Sequence, residues 1–120
     1  MKTSSAKSKG RRLCAEVAEL LRVMLKVELD DVRVTPSGVN GPDVQLSPLA
    51  KRKFPFCIEA KNQEKISIWA AIKQAEDNAL KHGGTPMLVF GRNRTQPYVA
   101  IPLEALARLY RVPDDVPETL

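Results

Sequence analysis

The sequence predicts one α/β domain built on a mixed β-sheet. Three observations carry that expectation. Helical spacing of apolar residues runs from Arg12 to Val27. Two strand-like segments, Phe54–Lys61 and Pro86–Gly91, are separated by one capped amphipathic segment, Ile68–His82. The intervening stretches are short and rich in turn formers, as in alternating α/β chains. At 120 residues the chain has room for one ordinary core.

The elements follow in order. Leu13, Val17, Leu20, Leu21 and Met24 form an apolar stripe with Val17 at its centre, so a first helix is expected from Arg12. Val32–Val34 reads as a short strand. Thr35–Pro42 holds two prolines and two glycines and must be a loop. Asp43–Leu46 alternates as a second strand, and Ser47–Lys53 is read as a hairpin connection carrying Lys51, Arg52 and Lys53. In the third strand Phe54, Phe56, Ile58 and Ala60 share one face, and Cys57, Glu59 and Lys61 share the other. Ser67 can cap the helix that ends at Gly83-Gly84. Pro86–Gly91 is apolar enough for a buried central strand. Gln96–Ile101 is a further strand and Leu103–Tyr110 a closing helix. The strands before the second helix are expected to pair antiparallel.

Charge is concentrated at one end. Residues 1–12 contain Lys2, Lys7, Lys9, Arg11 and Arg12 and no acid, which accounts for the whole net charge of +5. Residues 1–11 therefore read as a flexible basic arm, 12–112 as the folded domain and 113–120 as a loose tail. The arm suits contact with an anionic polymer and equally suits a frayed, solubilising terminus. No apolar run reaches the length that spans a bilayer, and no signal-type segment follows the basic start, so a cytoplasmic protein without a membrane partner is expected. Cys14 and Cys57 match no metal or redox spacing and are expected as buried free thiols. The single histidine, His82, excludes a His-rich metal site.

The informative constellation is Pro42-Asp43 followed by Glu59-Ala60-Lys61. Glu59 and Lys61 are two apart on a strand and point the same way. Asp43 opens the neighbouring strand beside a Gly-containing loop. Two carboxylates and an ammonium then converge. Such oxygen ligands suit a hard cation, Mg²⁺ or Mn²⁺, which activates water and polarises a phosphoryl oxygen. Lys61 can orient the water or offset developing charge. Taken alone, the Glu-x-Lys pair reads as the polar face of a sheet; the Pro-Asp one strand earlier is what favours a site.

Gly41-Pro42-Asp43 with Glu59-Ala60-Lys61 resembles the signature of the PD-(D/E)XK nuclease superfamily, with 15 residues between Asp43 and Glu59. Within it the chain is similar to small Holliday-junction resolvases of archaeal and phage type, over roughly residues 9–106. Lys9-Gly10 before a helix bearing Glu16, then Arg33, Ser37 and Gly38, and later Trp69, Gln74-Ala75-Glu76 and Arg92-Asn93-Arg94 carry that likeness. The resemblance implies a restriction-endonuclease-like fold, a central mixed sheet flanked by helices. It implies a Mg²⁺- or Mn²⁺-dependent endonuclease that cuts branched DNA as a homodimer, in the host cytoplasm if phage-encoded. Asp43, Glu59, Lys61 and Glu16 would be catalytic, and Asp43, Glu59, Ala60 and Glu16 would hold the metal. Glu16 is preferred over Glu19 because it lies about 100° from Val17, against about 160° for Glu19. Lys9, Arg11, Arg12, Arg33, Ser37, Lys51, Arg52, Lys53, Gln74, Arg92 and Arg94 would contact DNA. Gln74 equally suits a solvated surface, and Trp69 is expected first as a core residue. Another nuclease of the superfamily (nickase, restriction or repair type) and a non-catalytic DNA-binding module are the alternatives.

Overall fold

The computed structural model describes the backbone of residues 2–117 and the side chains from Lys9 to Pro117. Helix α1 (Lys2–Leu25) leads through a 3-10 turn into β1 (Val32–Val34). Then come β2 (Val44–Leu46), α2 (Pro48–Lys53), β3 (Phe56–Asn62), α3 (Ile68–His82), β4 (Thr85–Gly91), β5 (Tyr98–Ala100) and, after a second 3-10 turn, α4 (Leu106–Leu109). The sheet runs β1-β2-β3-β4-β5 in space. Pairing is antiparallel at β1/β2, β2/β3 and β4/β5, and parallel at β3/β4, where α3 makes the crossover. This is the expected α/β architecture with a mixed sheet.

The period of two along β3 and β4 divides the core into two layers. Phe56 and Ile58, with Met87 and Val89, pack against Leu13, Cys14, Ala18 and Leu21 of α1. On the opposite face Leu88 packs with Ala71 and Ala75 of α3. The three buried alanines of α3, Ala71, Ala75 and Ala79, let that helix lie close to the sheet. Gly84 closes the other end of the crossover: a Cβ there would sit 3.2 Å from the Cys57 nitrogen and the Phe56 carbonyl carbon. Its φ of 91° also lies in the left-handed region open to glycine.

Three local expectations change. Helix α1 starts at Lys2, not Arg12, because residues 2–12 contain no proline and only one glycine to interrupt it. Ser47–Lys53 is not a hairpin connection. The Ser47 hydroxyl accepts a hydrogen bond from the Ala50 N–H, Pro48 occupies the first turn, and α2 follows. The β3 face that carries Cys57 and Glu59 is buried beneath α3. Trp69 is 78% exposed, so it is not a core residue. Cys14 and Cys57 are buried free thiols, as expected. Among the described residues no helix is long and apolar enough to cross a membrane.

Candidate active site

Asp43 is fixed by its own backbone and by its carboxylate. Its N–H donates to the Ile58 carbonyl at 3.0 Å, and its carbonyl accepts from the Thr35 N–H at 2.9 Å. The Thr35 hydroxyl donates to the Pro42 carbonyl, which secures the turn before Asp43. The Asp43 Oδ2 accepts from the Ala60 N–H at 2.8 Å. The loop end is thereby tied to the strand that carries Glu59 and Lys61. In an extended strand a residue's N–H and C=O turn to the same edge, so the Ala60 carbonyl also points to the Asp43 side.

Glu59 sits mid-strand and is 3% exposed. Its Oε1 accepts a hydrogen bond from Asn78 Nδ2 on α3, at 2.6 Å. Burial pushes its carboxyl up from 4.5 to about 7, and the negative charge of Asp43 adds to the rise. Asn78 and Lys61 work in the opposite direction, and a hydrogen bond with Asp43 favours the protonated form. The Asp43 and Glu59 carboxyls thus act on each other electrostatically. Lys61, half-buried, lies two residues on along the same face.

This donor set fits a hard divalent cation. The carboxyl oxygens of Asp43 and Glu59 and the Ala60 carbonyl are the ligands such ions prefer. The nearby thiols do not compete as soft ligands. Burial first, then the charge of Asp43 and Glu59, pushes Cys14 up to about 11; burial and Glu59 do the same for Cys57. Among the described residues no three His, Cys, Asp or Glu side chains are grouped to hold a metal.

Glu16 is not brought to this place. It is exposed and lines a groove with Leu13, Val17 and Leu20. The buried face of α1 is centred near Leu21, not Val17. Glu16, five residues earlier, lies about 140° away at 3.6 residues per turn. The α1 residues beside Asp43 are Gly10, Arg11 and Cys14, which share a cleft of about 230 Å³ with Ser37, Gly38 and Ala60.

The expected phosphate contacts divide into two groups. Arg11 and Ser37 line the Asp43 cleft. Lys51 lines a second cleft, of about 340 Å³, which Gly41, Pro42 and His82 also line. Others are committed elsewhere. Arg33 pairs with Asp30 at 2.7 Å, the Lys53 ammonium donates to the Leu25 carbonyl at 2.9 Å, and Arg92 donates to Thr95 at 3.3 Å. The Lys9 carbonyl accepts from Asn62 at 3.4 Å. Arg12, Arg52, Gln74 and Arg94 are exposed, and Arg94 has φ 61° in its turn.

Sequence reasoning missed Asn78. The signal was a polar stripe on α3, Gln74, Asn78 and His82, at four-residue spacing beside the buried alanines. Because β3 and β4 are parallel, α3 runs antiparallel to β3. Two strand residues advance about 6.6 Å and four helical residues about 6 Å. With Asn78 bonded to Glu59, Gln74 falls alongside Lys61 and His82 alongside Cys57. The last two line the same cleft.

A family model described as phage putative PDDEXK endonuclease matches residues 5–117. No curated protein and no solved structure matches the chain significantly.

Proposed function

The chain belongs to the phage putative PDDEXK endonuclease family, and on that premise we propose that it hydrolyses DNA phosphodiesters with Mg²⁺ or Mn²⁺ held by Asp43, Glu59 and the Ala60 carbonyl. The observation that carries this reading is the buried Glu59 carboxyl beside half-buried Asp43, with Lys61 on the same strand as Glu59. A bound cation would supply Lewis-acid stabilisation and a more acidic water. The chain's own residues do the rest. Asp43, locked to Ala60, and Glu59, locked to Asn78, present fixed oxygens. Lys61 orients the attacking water and offsets charge building on phosphorus. The water oxygen bonds to phosphorus, the bond to the 3′ oxygen breaks, and a 5′-phosphate and a 3′-hydroxyl result. Arg11, Ser37 and Lys51, which line the two clefts, position the backbone of the substrate strand.

Among DNA substrates the reading places the four-way junction first. Its support is the likeness to small resolvases together with an apolar groove on α1. That groove, about 750 Å³, lies between α1 and the β5–α4 side and includes Leu20, Met24, Val99 and Leu106. Leu20 is 59% and Met24 53% exposed. A contiguous exposed apolar face marks an interface. One chain holds one carboxyl pair, and a two-fold junction takes two cuts, so a second copy is the occupant. Cytoplasmic action on host or phage DNA belongs to the same reading.

The test is incubation with junction, duplex, flap and single-stranded DNA, with and without Mg²⁺. Mg²⁺-dependent cutting, strongest on the junction and lost in Asp43→Ala, is expected. Cutting of duplex and junction alike would favour another nuclease of this type. Undiminished cutting by Asp43→Ala would overturn the site.

A further inference from the structure

We propose that Asn78 is a positioning residue for the metal-binding carboxylate of Glu59, acting from α3 without touching substrate or metal. The inference rests on the reading of Glu59 as a ligand and adds a residue outside the family signature. The geometry is specific. Asn78 Nδ2 donates to Glu59 Oε1 at 2.6 Å, and Glu59 is almost fully enclosed. Among the described residues no other side-chain N–H donates to that carboxylate. One oxygen is therefore claimed by the amide, which leaves the other for a ligand.

Helix α3 makes this arrangement rigid. Asn78 is flanked by Ala75 and Ala79, both buried against the sheet. The next helical turn ends at His82, where the Gly83 N–H closes the helix by donating to the Ala79 carbonyl at 2.7 Å. An amide also suits the place better than a carboxylate would. Asn can donate to Glu59 and adds no third negative charge to a pair that already repels. Removing the donor leaves a buried carboxylate free to rotate and costs the site its preorganised second ligand.

The experiment measures Mn²⁺ binding to the full chain by calorimetry and by electron paramagnetic resonance, alongside cleavage. Asn78→Leu keeps the branched heavy-atom skeleton and deletes the donor. Mn²⁺ affinity should fall about tenfold or more, the usual effect of losing a residue that orients a ligand. The metal concentration for half-maximal cleavage should rise in parallel, while DNA affinity in Ca²⁺ stays at the wild-type value. Asn78→Ala serves as the second variant, with the same expectation, if leucine prevents folding as judged by thermal melting. Asp77→Asn, next to it on the exposed face, should leave Mn²⁺ affinity unchanged. Wild-type Mn²⁺ affinity in a folded Asn78 variant, with binding lost in Asp43→Ala, would overturn this inference alone. Wild-type Mn²⁺ affinity in Asp43→Ala would instead overturn the underlying reading.

Discussion

The Asp43 carboxylate accepts a hydrogen bond from the Ala60 main chain at 2.8 Å, just before β2 begins and alongside the continuing β3. This bond makes the loop-borne acid part of the strand that bears Glu59 and Lys61. The distance between the two carboxyl groups is then set by sheet geometry and not by the Thr35–Pro42 loop.

The raised Glu59 carboxyl gives stability a pH dependence. Its folded value, about 7, lies above the ordinary 4.5, so the folded state holds more protons than the unfolded state between these values. The stabilising contribution is full below about pH 4.5 and is lost as pH rises through about 7. Metal-free protein should melt at progressively lower temperature from pH 5 to 8. Glu59→Gln should flatten that part of the profile. Thermal melts in chelator check it, and an unchanged slope in the variant would count against Glu59 as the titrating group.

Glu16 and Glu19 should now behave alike. Both are exposed, and Glu16 faces the apolar groove and not Asp43. Single substitution to Gln should change the cleavage rate by no more than about twofold, the range of an ordinary surface change. A large loss in Glu16→Gln would show that α1 turns when DNA binds.

The groove predicts the oligomeric state. Wild-type protein should sediment as a dimer, and Leu20→Asp should shift it to monomer while far-ultraviolet dichroism is kept. Junction cutting should fall more than nicking of duplex, because a single subunit carries one site. A monomeric wild-type protein would remove the second copy from the proposal.

Removing residues 1–8 deletes Lys2 and Lys7 and shortens α1 by its first turns. If both lysines neutralise phosphates, the slope of log affinity against log salt should become shallower by up to about 2. On the proposed reading, preference for junction over duplex would come from paired sites and should survive. A salt titration on both DNAs measures this. An unchanged slope would assign those charges to solvation.

The sheet was legible because strand signals are local. Alternation in β3, the apolar run of β4 and the Gly-Gly stop between α3 and β4 each depend on a few neighbouring residues. The juxtaposition of Asp43, Glu59 and Lys61 could be read for the same reason, from a period of two and one short loop. The phase of α1 could not. Leu20 and Met24 are apolar but exposed, and counting them as buried turned the predicted face toward Glu16. The Ser47-Pro48 pair suits a turn and a helix start equally, and the capping hydrogen bond decides for the helix. Asn78 was hidden because its partner is distant in sequence, and only the antiparallel course of α3 brings the two together.

Gly84 has a consequence for how the molecule can adapt. A Cβ on it would press at 3.2 Å on the Cys57 and Phe56 backbone, just where β4 enters its parallel register with β3, from Phe56–Thr85 to Asn62–Gly91. The β3–β4 centre is an anvil. Seven consecutive parallel pairs hold it together. On the proposed reading, accommodation of different DNA shapes falls to the periphery, the early turns of α1 and the Thr35–Pro42 loop with Gly38 and Gly41. Variation that retunes substrate choice should collect there, and the anvil should tolerate least change.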